Sequence, residues 1–434
     1  MADVLPFRAL RYDLRRVSAD QVVTQPYDKI TPAMQERYCA ASPYNLVRII
    51  LGRPEPQDNA EHNVYTRAAN YSQQWRRDGI LKQDATSSIY ACSQTFTAPS
   101  GGRFERQGFI ALGRVEDYSA KVVHRHEQTL AKPKADRLEL LRATRVHYEQ
   151  LFLLYEDSGE IESRLEPARQ AKPTIDVTDE YGVVHRVWHI SDPAAIASLR
   201  EQMRTEKLVI ADGHHRYETA LNFRDECRAS AGGSSNSQAP YEFVMMTFVN
   251  INDPGLVILP THRLVHSLDS FSADEFRNAA STIFTVEDVD AALDATHAVS
   301  LLGDRGRGGT ALLAVSANRA FLLHSPKPAA SPWLAGLSAR QQSLDVVQLH
   351  KCLLEGALKL SEESIRNQQN LTYVRDAAEA LAQARTGAAN IAFLMNPCRV
   401  EQVRDVAFAG EVMPQKSTDF YPKLLSGLTA YALD

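Results

Sequence analysis

Residues 207–221, KLVIADGHHRYETAL, combine charged side chains with a change of structural periodicity. The apolar run LVIA ends at Asp212 and predicts a strand, and the residues that follow predict a helix. Between the two lie a glycine and three potentially cationic side chains: Gly213, His214, His215 and Arg216. Cationic groups at the start of a helix oppose its dipole, whose N-terminus is already partly positive. We infer that a negatively charged ligand offsets this repulsion.

A strand–turn–helix junction of this composition is suited to phosphate. Gly213 permits a sharp turn and a close approach of a ligand to the backbone, and the amides of the first helical turn point outward. Arg216 can add a bidentate grip, and His214 and His215 can donate hydrogen bonds. The alternative is that Asp212 caps the helix and satisfies the amides itself, which leaves Arg216 unexplained.

A second concentration of polar groups occupies residues 124–137, HRHEQTLAKPKADR, between a predicted strand and a predicted helix. Glu127 can act as the general base that takes a proton from a substrate hydroxyl, and His126 can contact that substrate. Lys132 or Lys134 can steady phosphate charge, since phosphoryl transfer depends mainly on positioning and charge neutralisation. The alternative is a solvated connection, because loops of this kind are normally exposed and polar.

The loop VVTQPYDKITP, residues 22–32, places Tyr27 and Asp28 directly after a proline. Asp28 can meet Mg²⁺ or a substrate amine, and Tyr27 is a second candidate for substrate contact. The alternative is a turn before a helix opened by Thr31 and Pro32, in which Thr31 is the cap. Both interpretations remain open at the level of the sequence.

Residues 413–423 read MPQKSTDFYPK and place Lys416 beside Ser417 and Thr418. A lysine next to hydroxyl groups suits a phosphate or substrate loop, although the GxxxxGK pattern of a Walker A loop is absent. The alternative is a segment packed by its apolar side chains, since lysines beside hydroxyls are common on surfaces.

The histidines also allow a metal centre. His124 and His126 lie two residues apart and would face the same side of a strand, which is a spacing suited to metal ligands. Together with His214, His215 and Asp212 they could build a metal-dependent hydrolase. The HExxH motif of many zinc enzymes is absent, so this hypothesis stands behind the phosphate site.

Six stretches, spread over almost the full length, carry a resemblance to a known family: FRALRYD, PYDKI, HEQTLAKPKADRLELLRATR, DGHHRYETAL, MTFVNINDPGLVILPTHRLV and MPQKSTDFYPK. On these stretches the chain is identified as a member of the bacterial and archaeal domain-of-unknown-function family 1015. The name of that family does not settle a function.

The segment VIADGHHRYETAL resembles the signature of the ParB/sulfiredoxin superfamily, in which a Gly-x-x-Arg-type turn opens a helix and holds nucleotide phosphates. Sulfiredoxin chemistry is excluded, because it needs a cysteine where this chain has His214. Superfamily members that bind CTP and DNA carry a helix-turn-helix segment after the box, and the sequence shows none. The box is closest in character to that of the free-serine kinases, so the resemblance implies a ParB/sulfiredoxin-like core with kinase activity.

This hypothesis is a kinase that uses ATP or ADP with Mg²⁺ and phosphorylates a small hydroxyl compound, free L-serine being the best candidate. Asp212 would place the metal ion or the substrate, and Glu127 would be the base. The remaining predicted contacts are catalytic His214 and His215, nucleotide contacts Gly213, His214, His215, Arg216, Lys132, Lys416, Ser417 and Thr418, and substrate contacts Tyr27, Asp28 and His126. The alternatives are a nucleotide-binding regulatory module without turnover and the metal-dependent hydrolase.

The elements that must position these residues alternate between strand-like and helix-like patterns, which predicts a mixed α/β fold. Strands are predicted at residues 45–51, 88–96, 108–115, 150–156, 183–190, 208–211 and 243–251, and at VSLLG, ALLAVS, AFLLHS, LTYVRD and NIAFLMN farther on. We predict a nucleotide-binding catalytic region over residues 1–268, with a flexible loop at 229–240, and a C-terminal α/β region over residues 269–434.

Composition narrows the function classes. The 434 residues carry a net charge of −5, which disfavours a general nucleic-acid-coating protein. The five cysteines are scattered without CxxC spacing, so neither a disulfide framework nor a cysteine-rich zinc site is expected. No apolar run approaches the length that spans a bilayer. We therefore expect a cytoplasmic protein whose partners are a nucleotide and a small-molecule substrate.

Overall fold

The computed structural model describes residues 1–99, 101–127, 131–232 and 236–434. The side chains of residues 131–133, and residues 233–235 of the loop predicted at 229–240, lie outside the described part. The chain forms two compact units. Unit 1 comprises Met1–His124, Thr129–Val257 and Tyr421–Asp434, and unit 2 comprises Arg125–Gln128 and Ile258–Phe420.

The strands are numbered in chain order: β1 (Val4–Leu5), β2 (Leu10–Tyr12), β3 (Leu81–Gln83), β4 (Ile89–Thr97), β5 (Arg103–Arg114), β6 (Val123–His124), β7 (Val146–His147), β8 (Leu151–Tyr155), β9 (Ile175–Thr178), β10 (Val184–Ile190), β11 (Leu208–Asp212), β12 (Phe243–Asn250), β13 (Val257–Leu259), β14 (His262–Val265), β15 (Phe284–Val289), β16 (Ala311–Val315), β17 (Ala320–Pro326), β18 (Leu371–Val374), β19 (Ile391–Met395), β20 (Asp419–Tyr421) and β21 (Tyr431–Ala432).

The α-helices are α1 (Ala19–Val22), α2 (Pro32–Ala41), α3 (Val47–Ile50), α4 (Val64–Arg77), α5 (Ala131–Thr144), α6 (Glu160–Arg169), α7 (Pro193–Met203), α8 (His214–Ser230), α9 (Ala273–Ile283), α10 (Ala295–Gly306), α11 (Ala339–Gln342), α12 (Asp345–Gln348), α13 (Glu362–Arg366), α14 (Ala377–Arg385) and α15 (Val400–Phe408). A π-helix at Leu349–Ala357 comes directly after α12, and short 3₁₀ turns include Tyr27–Lys29. Among the described residues, no helix is both long and apolar enough to cross a membrane. The mixed α/β class predicted from the sequence is confirmed.

Unit 1 is built on a nine-stranded mixed sheet. Its path runs β6-β11-β8-β12-β5-β4-β10-β9, and β1 pairs with β5. The pairs β6–β11 and β8–β12 are parallel, and the others are antiparallel. Both β8 and β12 are buried along their whole length, as is usual for strands covered on both faces. The strand β11, which ends at Asp212, therefore lies directly beside the central core of the sheet.

The two faces of this sheet carry separate apolar cores. Successive residues of β5 alternate between them because strand side chains point to opposite faces. Phe109 belongs to a core that includes residues of α6, α7 and α8, whereas Ile110 belongs to a core that includes Leu425 and Leu428 from the end of the chain. The helices α5 and α8 pack on each other, so α8 is held both by the core on one face of the sheet and by α5.

Unit 2 is built on a six-stranded antiparallel sheet with the order β15-β17-β16-β19-β14-β18. Leu302 of α10 and Leu381 of α14 share a core with Leu264 of β14. Phe276 of α9 packs its ring against that of Phe393 in β19, with 5.6 Å between centroids. Leu264 and Phe393 lie on opposite faces, so this sheet too is covered on both sides.

Two predicted strands are wrong. The run at residues 45–51 forms helix α3, because the Asn45 side chain accepts a hydrogen bond from the amide of Val47 and opens a helical turn. The run VSLLG lies inside α10, which Asp294 caps by accepting from the amide of His297. Short apolar runs fit a strand or a buried helix equally well by periodicity, and the polar residue before each run decides between them.

Candidate functional site

The junction between β11 and α8 has the geometry of a glycine-dependent turn. Gly213 is the N-cap of α8 and has a φ of +94°, in the left-handed region that side chains disfavour. A Cβ at this position would lie 2.9 Å from Cδ2 of Leu151 and 3.2 Å from Nη2 of Arg216. Both the backbone conformation and the lack of space therefore require glycine here.

Asp212 does not cap α8, in contrast to the alternative considered from the sequence. The N-cap residue is Gly213, and it provides no side-chain cap. The Asp212 carboxylate instead turns to two cations: Oδ2 accepts from Nη2 of Arg216 at 3.2 Å, and Oδ1 lies 3.4 Å from Nζ of Lys423. The carboxylate of Asp212 thus orders positive charge at the start of α8.

Electrostatics keep this carboxylate ionised. Burial by itself would raise the pKa of Asp212, but the charges of Lys423, Arg216 and Lys29, together with His214, outweigh burial and hold that pKa well below its usual value. Burial by itself would lower the pKa of Arg216. The negative charges of Glu149 and Asp212 outweigh burial and raise that pKa. Asp212 and Arg216 are therefore both charged at neutral pH.

The Arg216 guanidinium also has internal partners. Its Nη1 donates to the carbonyl of Gln150, the residue before β8, at 2.5 Å, while Nη2 donates to Asp212. The side chain is 13% exposed. In this arrangement Arg216 orients Asp212 and anchors the start of β8, and its predicted grip on phosphate stays a prediction.

The PYD loop belongs to the same unit and is tied to the same cluster. The amide of Tyr27 donates to Oε1 of Glu149 at 3.0 Å, and the guanidinium of Arg137 lies 4.0 Å from the centroid of the Tyr27 ring. Burial is the main cause that raises the pKa of Tyr27 to about 12. Asp28, in the 3₁₀ turn, acts electrostatically on Arg216. The predicted residues Tyr27, Asp28 and Arg216 are thus brought into one charged neighbourhood.

The remaining predicted side chains of unit 1 lie along α5 and α8. Lys134 forms an ion pair with Glu218 at 2.8 Å and joins the two helices. The predicted phosphate contact Lys132 falls in α5, but its side chain lies outside the described residues. His214 is buried and His215 is half-buried in the first turn of α8.

Unit 2 contains the predicted residues His126, Glu127, Lys416, Ser417 and Thr418. Oε1 of Glu127 accepts a hydrogen bond from the amide of Lys416 at 2.8 Å, and Nε2 of His126 lies 2.8 Å from Oγ1 of Thr418. Ser417 donates its hydroxyl to the carbonyl of Pro414. The structure therefore brings Glu127, His126, Lys416 and Thr418 together, as one cluster within unit 2.

Arg263 holds the other side of this cluster. It is almost fully buried, and its Nη2 donates to the carbonyl of Lys416 at 3.0 Å and to that of Gln415 at 3.4 Å. Lys416 itself adopts a φ of +58°, which is unusual for a residue with a side chain. Glu127 and Arg263 thus fix the backbone of Lys416 through its amide and its carbonyl.

The residues of the site that sequence reasoning missed include Lys423, Lys29, Gln150 and Glu149. Lys423 and Lys29 stand in the quoted stretches MPQKSTDFYPK and PYDKI, but Lys416 and Asp28 were preferred there. The available signal was the turn chemistry of FYPK, where a proline before Lys423 restricts the backbone. Gln150 gave no signal, because it takes part through its backbone carbonyl.

The described residues do not form a metal centre of the expected kind. Among them, no three His, Cys, Asp or Glu side chains come together as ligands. Nε2 of His124 lies 3.1 Å from the carbonyl of Lys121, and His126 belongs to unit 2. The carboxylate of Asp212 is already in contact with two cations, so this donor set does not fit a metal ion held by the protein alone.

The family model described as a protein of unknown function, DUF1015, matches residues 4–347. The chain belongs to this family. The match covers the whole of the β11–α8 junction, the PYD loop and Glu127. A search of curated proteins found no match for this DUF1015 member.

Solved structures with a similar arrangement include three of note. A conserved hypothetical protein from Pyrococcus furiosus has a TM-score of 0.33 at 12% identity, covering 69% of this chain and 87% of that chain. A free serine kinase in complex with AMP has a TM-score of 0.34 at 13% identity, and the match covers 69% of this chain and 83% of that chain. SbnI with C-terminal truncation from Staphylococcus aureus has a TM-score of 0.35 at 9% identity, and the match covers 73% of this chain and 85% of that chain. At this level of similarity the matches do not assign an activity to this chain.

Proposed function

We propose that this protein is a nucleotide-dependent phosphotransferase that uses ATP or ADP and phosphorylates a small hydroxyl compound. The observation that supports the proposal is the cluster at the start of α8, where Asp212 holds Arg216 and Lys423, and Lys29 acts on the same carboxylate. Arg216, Lys423 and Lys29 place positive charge beside the partly positive end of a helix, where a phosphate group can bind. Glu149 and Asp28, which act on Arg216, offset part of that charge.

In the proposed reaction, the hydroxyl oxygen of the acceptor forms a bond to the terminal phosphorus of the nucleotide. The bond from that phosphorus to its bridging oxygen breaks, the shortened nucleotide leaves with the bonding electrons, and the hydroxyl proton passes to a base. Lys423 and the start of α8 neutralise charge on the phosphate oxygens, since positioning and neutralisation dominate such transfers. Glu127 keeps the role of base as a prediction.

Free L-serine is the acceptor that we favour, and this choice rests on the resemblance of the DGHHR box to that of the free-serine kinases. Mg²⁺, where it takes part, enters with the nucleotide phosphates and neutralises their charge. Asp212 is the carboxylate of the cluster that can approach such a complex. Its hold on Lys423 and Arg216 makes the positioning of those cations its main task.

The test is phosphate transfer from labelled nucleotide to a panel of hydroxy amino acids, together with nucleotide affinity. We expect K423M to weaken affinity about 10- to 150-fold, which is the loss of one charge-assisted hydrogen bond. The matched control is K82M, which removes a surface lysine paired with Asp13 at 2.7 Å in the same unit. Binding without transfer to any acceptor would favour the regulatory module, and folded protein that binds no nucleotide would refute the proposal.

A further inference from the structure

Lys423 reaches Asp212 from a segment whose backbone is held by buried polar side chains of unit 1. Arg106 is 2% exposed, and its guanidinium lies 4.7 Å from the centroid of the Phe152 ring. Its Nη1 donates to the carbonyl of Tyr421 at 3.2 Å, and its Nη2 donates to the carbonyl of Pro422 at 2.6 Å. One rigid guanidinium thus fixes two consecutive peptide groups directly before Lys423.

Gln94 completes this hold. Its Nε2 donates to the carbonyl of Lys423 at 2.9 Å, and its Oε1 accepts from Nε of Arg106 at 3.1 Å. Gln94 of β4 and Arg106 of β5 are direct cross-strand partners. The carbonyls of three successive residues, Tyr421 to Lys423, are therefore bound by one pair of neighbouring side chains on the sheet.

The chain of hydrogen bonds extends to a buried carboxylate. His185 of β10 is the cross-strand partner of Gln94, and its Nδ1 lies 3.3 Å from Nε2 of Gln94. Its Nε2 lies 3.1 Å from Oδ2 of Asp179, which also accepts from Gln25. An imidazole with its proton on Nε2 satisfies every contact: it donates to Asp179 and accepts from Gln94.

A buried polar network destabilises the protein unless every polar group has a hydrogen-bond partner. Well-packed apolar side chains at the same positions can stabilise a fold equally well. Arg106, Gln94 and His185 lie on the adjacent strands β5, β4 and β10, and Asp179 follows β9. The network ends at the peptide groups that carry Lys423, which points to positioning rather than packing. We infer that Gln94 and Arg106 are positioning residues, which hold the backbone of Lys423 so that its ammonium faces Asp212. The inference rests on the proposed role of Lys423 at the anion site.

The experiment follows Lys423 itself. Its side chain is 9% exposed and paired with Asp212, so an amine-acylating reagent followed by peptide mass spectrometry should modify it slowly in the native protein. In Q94L the donor to the Lys423 carbonyl is lost. We expect acylation of Lys423 to accelerate about two- to tenfold, the range expected for one net hydrogen bond.

Further variants separate the explanations. Q94E keeps acceptor oxygens for Arg106 but has no donor for the Lys423 carbonyl, so it should behave like Q94L even if Q94L folds poorly. The matched control is Q107L on the neighbouring strand β5, whose side chain accepts from Arg169 at 3.1 Å and points to the face opposite to that of Arg106. Acylation of Lys134, paired with Glu218, should stay constant in all variants unless the whole unit loosens.

D212N distinguishes failure of this inference from failure of the proposed function. If D212N accelerates acylation of Lys423 and both Gln94 variants leave it unchanged, the pairing stands and the positioning role is refuted. If D212N itself leaves the rate unchanged, the Asp212–Lys423 pair, on which the proposed function depends, is overturned. A gain in Q94L and Q94E together with weaker nucleotide affinity supports both.

Discussion

Replacing Gly213 with alanine tests the geometry of the β11–α8 turn most directly. An alanine at a φ of +94° costs about 1–2 kcal/mol, because its Cβ crowds the following carbonyl. The new Cβ would also lie 2.9 Å from Cδ2 of Leu151, a fully buried side chain that would have to shift. Such overpacking adds about 1–3 kcal/mol. We therefore expect G213A to lower the free energy of unfolding of unit 1 by about 2–5 kcal/mol.

The matched control for this prediction is G159A. Gly159 is also a helix N-cap, with a φ of +93°, but a Cβ there meets nothing within 4 Å. The assay is urea unfolding followed by tryptophan fluorescence in a W333F background, so that the signal comes from Trp75 and Trp188 of unit 1. We expect G159A to lose only about 1–2 kcal/mol. Equal losses in the two variants would refute the close contact at Gly213.

Three further predictions concern titration and catalysis. D212N should be less stable than the native protein by the full amount at pH 7, and this difference should shrink as pH falls below about 4. The reason is that the native contacts which lower the pKa of Asp212 favour only its ionised form. A difference in urea midpoints that stays constant with pH would contradict this. Burial raises the pKa of Asp253 to about 6. As pH rises from 4 to 6, the free energy of unfolding of the native protein should therefore fall by roughly 1–3 kcal/mol relative to that of D253N. Parallel pH profiles of the two proteins would contradict it. E127Q keeps an acceptor for the Lys416 amide and should fold normally, but its transfer rate should fall about 100-fold or more if Glu127 is the base; an unchanged rate would leave Glu127 with a structural role.

Local patterns predicted the central elements well. The run LVIA followed by Asp212 and Gly213 predicted a strand, a turn and a helix, and all three are present. The pattern succeeds here because each signal is local: apolar residues end at a glycine, and helical spacing begins at once. At residues 45–51 the apolar signal is equally strong, but the turn in which the Asn45 side chain accepts from the Val47 amide leads into a helix.

The partners of the site residues were harder to predict. Lys423 contacts Asp212 although 211 residues separate them, and no periodicity or spacing in the sequence links the two. The same holds for Arg106 and Gln94, because polar stretches such as RFERQ at residues 103–107 give no local sign of which side chain is buried. Contacts of this kind follow from sheet order and register, which local patterns do not specify.

The charge conflict at the start of α8 has a physical resolution within the protein. A phosphate was expected to offset the cations there, but Asp212 already does so in part, from the last position of β11. Its contacts with Arg216 and Lys423, at 3.2 and 3.4 Å, are longer than the 2.7–2.9 Å typical of charge-assisted pairs. Under the proposed function, a phosphate oxygen would form shorter contacts with the same two cations. Asp212 would then position Lys423 and Arg216 before the anion binds, and such preorganisation would lower the cost of binding.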